Sequence, residues 1–324
     1  MMSCVRGRLA PSPTGLLHLG NAWAFLLAWL AARAANGNVV LRMEDIDPDR
    51  SRAEYAAMIL EDLRWLGLDW EEGPDVGGPC APYVQQQRLP LYETALARLN
   101  SEGMIYPCYC TRKELRSLAG APHAGDVGAP YSGACRNLSP EEQARRAERR
   151  SPAWRLRCPD DPIAFEDAVY GPQRMTPAQW GGDFALRRSD GIIAYQLAVV
   201  VDDAAMRVTQ VVRGQDILSS TPRQILLHRL LGAPVPHYIH IPLLLDENGE
   251  RLAKRHKSLA LRHLRDTGME PAVLTGLFGF LAGWLTRPEP TSPQALVPLY
   301  DLSRIPREHI RITHDMLSSL RAGR

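Results

Sequence analysis

Apolar and polar positions along the first part of the chain change from strand-like to helix-like spacing and back. Residues 5–10 (VRGRLA) predict a short strand, and the turn-forming segment PSPTG at 11–15 follows it. An alanine- and leucine-rich helix is predicted from about Leu19 to Ala35, ended by Asn36-Gly37. A compact apolar strand comes next at 39–43 (VVLRM). Strand, loop, helix and strand in this order predict the start of a doubly wound parallel sheet, so the fold class is α/β.

The next stretch has helical spacing and then loses the α/β pattern. Apolar positions recur at helical intervals in 53–66 and again in 89–99. A highly charged helix is predicted at 140–150 (PEEQARRAERR), among short strand-like runs that Pro and Gly interrupt. We therefore expect the first half of the main domain at 1–105 and an insertion domain at 106–190.

The α/β pattern returns after the insertion. The predicted elements are, in chain order, an apolar strand and helix region at 192–201, a strand at 210–213, a helix at 222–231 and a strand at 240–245. They assign the second half of the main domain to 191–257. The segment 258–324 is mostly helical and is expected to form a short helical subdomain.

Charge and composition exclude two classes of protein. The 324 residues are 45% hydrophobic and 23% charged, which is ordinary for a folded protein and argues against wholesale disorder. The formal net charge is only +2, so the chain is not a polycationic wrapper of nucleic acid. Contact with nucleic acid would depend on local basic clusters, which lie at 112–113, 145–146, 149–150 and 262–265.

No run in the sequence is long and apolar enough to suggest a membrane segment. The two best candidates, 22–30 and 272–285, fall short of the roughly 18–20 residues that a span needs. No apolar stretch of signal-peptide type follows the charges at the start of the chain. We therefore expect a cytoplasmic protein.

The loop before the first long helix is a candidate phosphate site. It belongs to the string from Arg8 to Asn21 (RLAPSPTGLLHLGN), and Gly20 lies where the helix begins. Free backbone N–H groups and the positive end of the helix dipole favour an anion at such a position. His18 can donate to a phosphate oxygen. A His-x-Gly triplet alone is more often a plain connecting loop, so the specificity lies in the longer string.

A second candidate is the basic string from Arg251 to Ser258 (RLAKRHKS), which follows a predicted strand and the turn signal DENG at 246–249. A movable basic loop at the end of a strand can clamp a polyphosphate, because lysine acts as a mobile point charge. Taken alone, the run is more typical of a solvated basic segment.

Three of the six cysteines indicate a metal site. Cys108 and Cys110 are separated by one residue, and Cys135 follows in the same region. Structural zinc takes four tetrahedral ligands, usually thiolates or imidazoles, so one ligand is missing, and His123 is a candidate by its chemistry. The other cysteines, Cys4, Cys80 and Cys158, are interpreted as small apolar residues.

Together the two strings resemble the HIGH and KMSKS signatures of class I aminoacyl-tRNA synthetases. The first string, with EDID at 44–47, resembles the glutamyl/glutaminyl branch, and QLAVVVDD at 196–203 and VRGQD at 212–216 strengthen the match. The resemblance covers nearly all of the chain to about residue 260. It implies a Rossmann-like catalytic domain that carries an insertion with a zinc site.

Two departures from the signatures occur. Asn21 replaces the second histidine of HIGH, although asparagine can still donate a hydrogen bond. The KMSKS segment has Arg251 and Ala253 in place of its first lysine and its serine. Lys254 matches the lysine that the family uses on ATP.

The resemblance implies three sets of site residues. Glutamate carries two carboxylates and one ammonium, and so needs guanidinium donors and an acidic acceptor, which Arg8, Arg213 and Glu44 can supply. The implied glutamate-binding residues are Arg8, Leu9, Ala10, Pro11, Ser12, Glu44, Tyr195 and Arg213. The implied ATP-binding residues are His18, Gly20, Asn21, Arg251 and Lys254, of which His18 and Lys254 are catalytic. In the same way, Tyr131 is implied as the fourth zinc ligand beside Cys108, Cys110 and Cys135.

The short segment after Ser258 makes the chain similar to a family of truncated paralogues, the glutamyl-Q tRNA(Asp) synthetases. That resemblance implies activation of L-glutamate with ATP and Mg²⁺ without tRNA, and then transfer of glutamate to queuosine in the anticodon of tRNA(Asp). It also implies one structural zinc, and we expect a monomer. Two alternatives are a short glutamyl-tRNA synthetase that charges the tRNA 3′ end and a non-catalytic RNA-binding paralogue.

Overall fold

The computed structural model describes residues 4–111, 113–115, 131–177, 181–252, 259–313 and 316. The helices within these ranges are α1 (Leu19–Ala34), α2 (Ala53–Trp65), α3 (Leu89–Ser101), α4 (Pro140–Ala147), α5 (Tyr195–Ala205), α6 (Thr221–Leu230), α7 (Leu261–Asp266), α8 (Pro271–Leu281) and α9 (Pro293–Leu296). The strands are β1 (Arg6–Leu9), β2 (Asn38–Leu41), β3 (Ile105–Cys108), β4 (Ala153–Leu156), β5 (Ile163–Asp167), β6 (Gly171–Met175), β7 (Ala185–Arg187), β8 (Gln210–Gly214), β9 (His237–Ile241), β10 (Leu244–Leu245) and β11 (Ile310–Arg311). Short 3-10 turns occur at Gln85–Arg88, Gln215–Ser220, Val297–Leu299 and Leu302–Arg304.

Parallel strands joined through helices form the centre of the fold. β1 and β2, which precede and follow α1 in the sequence, pair in parallel. β8 and β9, which precede and follow α6, also pair in parallel. The two strand pairs lie beside each other: Thr209 N donates to Arg6 O at 3.0 Å, and Arg8 Nη1 donates to Val212 O at 3.1 Å. This is the α/β arrangement that the sequence pattern predicts.

The turn after α1 follows the sequence prediction. Asn36 adopts a left-handed backbone with φ of 50°, and Gly37 N donates to Ala32 O at 2.8 Å. Asparagine and glycine accept such a backbone more readily than other residues, so the helix ends here and the chain returns to β2.

The middle of the chain contributes two antiparallel units. β3, β4 and β7 form one antiparallel sheet, and Cys108 lies at the end of β3. β5 and β6 form a hairpin, and its Asp167 also pairs in parallel with Tyr238 of β9. The hairpin therefore extends the main sheet and brings Asp167 close to the end of β9.

The prediction of a single strand at 240–245 was wrong, since two short strands occupy this region. β9 ends at Ile241, and Pro242, which has no N–H to donate, separates it from β10. β10 pairs in parallel with β11 near the end of the chain, so the mostly helical last segment also supplies a strand. The sequence pattern did not reveal this pairing, because the two partners are distant along the chain.

The largest hydrophobic core surrounds α1. Leu26, Leu27 and Leu30 of this helix are fully buried, and the Trp23 ring meets the Phe278 ring of α8 edge-on at 5.8 Å. Trp23 Nε1 also donates to Pro242 O at 2.9 Å. Because α1 is packed on several sides, its N-terminal end is a fixed point on which a binding site can be built. Among the described helices, we find none with both the length and the apolar character needed to cross a bilayer.

Candidate active site

A pocket of about 400 Å³ opens where β1 and β8 end and α1 begins. Its volume lies in the range of small-molecule sites, roughly 300–1,000 Å³. The carboxyl ends of parallel strands are where α/β sheets bind ligands. The sequence-predicted residues that line it are Arg8, Ala10, Pro11, Ser12, His18, Gly20, Asn21, Glu44, Tyr195, Arg213 and Arg251. Leu9 does not line it, because its side chain is fully buried in the core.

The N-terminal end of α1 forms one wall of the pocket. His18 is the N-cap residue, and Asn21 Oδ1 accepts a hydrogen bond from His18 N at 3.1 Å. A Cβ atom at Gly20 would lie 3.1 Å from two atoms of the His18 ring. Glycine at this position therefore leaves room for the imidazole beside the first N–H groups of the helix. The wall presents the donors that an anionic oxygen requires.

The first two residues of the basic string, and the residues that follow it, lie beside this wall. Leu252 lines the pocket, and its backbone N–H donates to Leu244 O at 3.3 Å. On the other side of the string, Leu261 N donates to Leu17 O at 2.8 Å, and Ala260 forms a bridge with His18. Lys254 itself lies outside the described residues. Arg251 at the start of the string forms an ion pair with Asp216, and both side chains line the pocket.

Arg8 projects from the end of β1 and is only 6% exposed. Its Nη1 group donates to Val212 O, and its Nε lies 3.7 Å from Asp203 Oδ1. Burial lowers the pKa of the Arg8 guanidinium, while the Asp203 carboxylate acts in the opposite direction. A buried guanidinium at the pocket wall is suited to hold a carboxylate of a ligand.

Glu44 follows β2 and is held by two contacts. Arg42 Nη2 donates to Glu44 Oε1 at 2.9 Å, and the Glu44 backbone N–H donates to Pro11 O at 2.8 Å. Burial raises the pKa of Glu44, and the Arg42 cation opposes that shift. The carboxylate is therefore fixed at the pocket wall, where it can accept from an ammonium group.

Arg42 is a site residue that sequence reasoning missed. Its side chain is fully buried, and it lies between three carboxylates. Nη1 donates to Asp203 at 2.7 Å, Nη2 donates to Glu44, and Nε lies 3.6 Å from Asp202. The sequence did contain a signal for it: an arginine inside the apolar run VVLRM indicates a buried charge, and a buried charge requires a partner of opposite sign.

Asp202 continues this buried network away from the pocket. It accepts hydrogen bonds from Arg88 Nε at 2.6 Å, from Gln85 Nε2 at 2.8 Å and from the Tyr92 hydroxyl at 2.9 Å. The 3-10 turn before α3 is thereby attached to the residues that hold Glu44.

Arg213, at the end of β8, is fixed by three hydrogen bonds. Its Nη1 donates to Gln224 Oε1 at 2.6 Å, its Nη2 to Thr221 Oγ1 at 2.8 Å and its Nε to His240 Nε2 at 2.9 Å. The other ring nitrogen of His240, Nδ1, lies 2.6 Å from Asp167 Oδ2. Because Nε2 accepts from the guanidinium, the geometry requires a neutral imidazole that donates from Nδ1 to the carboxylate.

Tyr195 completes the pocket from the first turn of α5. It is 36% exposed, and its ring lines the same cavity as Arg8, Glu44 and Arg213. The structure thus brings together four residues that the sequence places far apart.

We expect His240 to make stability depend on pH. Burial lowers the pKa of His240 to about 4, against the opposing hydrogen bond to Asp167, from an ordinary value of 6.5. Between these values the unfolded chain binds a proton that the folded chain does not, so the free energy of unfolding falls as pH drops from 6.5 to 4. The slope from this group is at most about 1.4 kcal/mol per pH unit. The charged groups that face the imidazole are Asp167, Arg213 and Arg8.

Denaturant unfolding at several pH values measures this effect. His240→Gln should flatten the decline between pH 6.5 and 4, while His237→Gln, at an exposed position on the same strand, should not. Equal slopes in wild type and in His240→Gln would contradict the assignment of a buried neutral imidazole.

The three predicted cysteine ligands lie together at the end of β3. The sulfur atoms of Cys108, Cys110 and Cys135 all lie within 4.8 Å of one another. The Tyr131 hydroxyl lies 3.4 Å from Cys108 Sγ and 4.0 Å from Cys110 Sγ, and it accepts from Cys135 N at 2.8 Å. His123 lies outside the described residues.

The chemistry of this donor set fits zinc. Burial and the neighbouring thiols of Cys108 and Cys135 raise the pKa of Cys110 to about 12. Several thiolates do not gather in such a place without a cation, and a bound metal ion deprotonates its thiol ligands. Three soft sulfur donors and one phenolic oxygen around one point give the four ligands of a closed structural zinc site.

Comparison with known proteins identifies relatives over almost the whole chain. Residues 4–289 match the family model for tRNA synthetases class I (E and Q), catalytic domain. A protein named glutamyl-Q tRNA(Asp) synthetase from Nitratidesulfovibrio vulgaris is 61% identical over 98% of this chain and 99% of its own. A protein of the same name from Symbiobacterium thermophilum is 54% identical over 98% of each chain.

Full-length synthetases match less closely and over only part of their length. A glutamate–tRNA ligase from Sulfurihydrogenibium is 42% identical, and this chain covers 59% of it. Among solved structures, a glutamate tRNA ligase from Elizabethkingia meningosepticum in complex with its amino acid superimposes with a TM-score of 0.84 at 26% identity. That superposition covers 98% of this chain and 69% of the ligase.

Proposed function

We propose that this chain, which belongs to the class I tRNA synthetase family (E and Q) and is a ligase of the aminoacyl-tRNA synthetase type, activates L-glutamate with ATP. It then transfers the glutamate to queuosine in the anticodon of tRNA(Asp). The observation that carries the first step is the pocket, in which two buried guanidinium groups and one carboxylate converge. Glutamate carries two carboxylates and one ammonium. Arg8 and Arg213 would hold carboxylates, Glu44 would accept from the ammonium, and Tyr195 would add a hydroxyl.

Activation needs position and charge rather than a protein nucleophile. The α-carboxylate of glutamate attacks the α-phosphorus of ATP in line, and pyrophosphate leaves. In our proposal His18, Gly20 and Asn21 at the start of α1 hold phosphate oxygens, and Arg251 contributes to ATP binding. Lys254 neutralises the charge that develops toward the leaving group. Mg²⁺ would enter with ATP and offset part of the negative charge of the phosphates.

Transfer follows from the adenylate. A hydroxyl of the queuosine cyclopentenediol attacks the activated carbonyl, an ester forms and AMP leaves. Similarity supports this acceptor: three relatives named glutamyl-Q tRNA(Asp) synthetase are 47–61% identical, and five named glutamate–tRNA ligase are 41–44% identical. We propose that the protein acts as a monomer in the cytoplasm.

Two assays test this proposal. Glutamate-dependent exchange of pyrophosphate into ATP should proceed with no RNA present. Labelled glutamate should then attach to tRNA(Asp) that carries queuosine, at the anticodon, and not to tRNA(Asp) that lacks it. Exchange that needs tRNA, or label at the 3′ end, would favour the ordinary synthetase. No exchange under any condition would favour an RNA-binding role.

We further propose that one structural zinc is held by Cys108, Cys110, Cys135 and Tyr131. The support is the gathering of three sulfur atoms and one phenolic oxygen at the end of β3. The ion would fix the connection between β3 and the segment that contains Tyr131. With it we propose an insertion domain at 106–190 between catalytic halves at 1–105 and 191–257, and a short helical subdomain at 258–324.

We expect about one zinc per chain in protein purified without added metal, and we expect Cys108→Ser to lose most of it. The glutamate pocket should remain largely formed, because its residues lie on β1, β2, β8 and α5. Elemental analysis and glutamate binding measure the two effects. Cys158→Ser is the matched control, since this buried thiol donates to Gly182 O at 3.3 Å and lies outside the cluster.

Two further variants identify the fourth ligand. Tyr131→Phe removes only the hydroxyl, and His123→Ala removes the alternative imidazole. Weaker zinc binding in Tyr131→Phe alone supports the proposed ligand set. Wild-type protein that is fully folded and active without metal would refute the zinc proposal.

A further inference from the structure

The most informative group outside the pocket is the buried pair behind Arg213. His240 and Asp167 are 0% and 1% exposed, and neither lines the cavity. They come from β9 and from the end of β5, which pair at Tyr238 and Asp167. The sequence motifs of the candidate site contain neither residue.

We propose that His240 and Asp167 are positioning residues that fix the Arg213 guanidinium and keep its charge available for a ligand carboxylate. This inference rests on the proposed glutamate-binding function. The three side chains form a chain of hydrogen bonds: His240 Nδ1 lies 2.6 Å from Asp167 Oδ2, and His240 Nε2 lies 2.9 Å from Arg213 Nε.

The intervening imidazole has a specific consequence for recognition. A carboxylate in direct contact with Arg213 would occupy two N–H groups at once and neutralise the cation locally. The neutral imidazole occupies only Nε–H and holds Asp167 one ring away. A guanidinium has five N–H donors, and partners among the described residues account for three of Arg213's. The two that remain, one on each terminal nitrogen, are available to a carboxylate in the pocket.

Asp167 is itself held rigidly by the backbone. Its Oδ1 accepts from Tyr170 N at 2.9 Å and from Val169 N at 3.1 Å, and its Oδ2 accepts from His240 N at 3.0 Å. The imidazole is further confined by the Tyr238 ring, which stacks on it at 6.1 Å. The Arg213 guanidinium lies over the same Tyr238 ring at 5.1 Å. These three hydrogen-bonded side chains therefore have little freedom to move, which suits a positioning role.

Two substitutions at one position separate positioning from folding. The side chain of His240→Asn reaches only as far as Nδ1, so it can keep the contact with Asp167 while leaving Arg213 Nε without its acceptor. His240→Gln is one methylene longer and can place an amide oxygen near the position of Nε2. His237→Asn, at the exposed first residue of the same strand, is the matched control.

Pyrophosphate exchange gives separate KM values for glutamate and ATP, and thermal unfolding reports on folding. We expect His240→Asn to raise the KM for glutamate roughly 10- to 100-fold, because a hydrogen bond to a charged group is lost. In His240→Asn, the KM for ATP and the kcat should each change by less than about threefold. His240→Gln should keep the glutamate KM within about threefold of wild type, which a merely structural role for the imidazole does not predict.

The outcomes separate this inference from the proposed function. A wild-type protein that shows no glutamate-dependent exchange refutes the proposed function. A wild-type protein that shows exchange, with Asn and Gln variants that have equal KM values for glutamate, refutes only the positioning role. An equal rise in the KM values for glutamate and ATP in His240→Asn refutes it as well, because the change would then reflect general disruption.

Discussion

Lys254→Ala is expected to slow glutamate-dependent pyrophosphate exchange by roughly 100- to 1000-fold, the range for loss of one preorganised stabiliser of transition-state charge. The negative charge on the departing pyrophosphate grows as the bond to the α-phosphorus breaks. In our proposal Lys254 is the cation that meets it. The measurement is the exchange rate at saturating glutamate and ATP, without RNA.

Arg251→Ala is the matched control, because it removes another cation from the same string. The Arg251 side chain is 53% exposed and already pairs with Asp216, so its removal should slow exchange far less. Lys254→Arg should recover part of the rate, since the charge is kept. Equal loss in Lys254→Ala and Arg251→Ala would contradict the specific role of Lys254.

Glu44→Ala is expected to weaken glutamate binding by about 2–4 kcal/mol, the scale for loss of one buried charged partner. The ammonium of glutamate would lose its acidic acceptor and remain desolvated. Arg213→Ala should have a loss of similar size, because a carboxylate would lose its guanidinium. Titration calorimetry with glutamate alone measures both effects without dependence on catalysis.

The control for Glu44 is a carboxylate that also pairs with an arginine but lies away from the pocket. Glu61 accepts from Arg262 at 2.7 Å, and its side chain is 54% exposed. Glu61→Ala should leave glutamate affinity unchanged, since exposed ion pairs contribute little. Unchanged affinity in both Glu44→Ala and Arg213→Ala would overturn the pocket assignment.

Local signals in the sequence predict the elements around the pocket well. The helix predicted to end at Asn36-Gly37 ends there in the structure, because glycine and asparagine accept the left-handed turn. The strand at 210–213 and the helix after Ser220 also lie where predicted. These features depend on residues that are near one another in sequence, so one chain is enough to reveal them.

Contacts between distant segments were not predictable in the same way. Nothing local to His240 indicates that Asp167 lies beside it, because the β5–β6 hairpin must first join β9. The pairing of β10 with β11 has the same character. Lys254 and His123 lie outside the described residues, so their roles remain predictions from the sequence.

The part of the site that could have been inferred but was not is the burial of charge. Arg42 directly follows the apolar strand β2, and Asp202 and Asp203 follow the apolar run of α5. A charged residue at such positions requires a partner of opposite sign. The sequence therefore contained evidence of an internal ion network, although not of which residues form it.

The ion network around Arg42 also restricts the mutational paths open to this protein. Removal of one partner from a buried pair costs about 3–5 kcal/mol, while a whole folded domain is stable by only about 5–15 kcal/mol. Loss of Arg42, Asp202 or Asp203 alone would therefore remove a large share of that margin. A substitution at one of these three positions is therefore expected to need a compensating substitution at another, so the buried network behind the pocket should change as a unit.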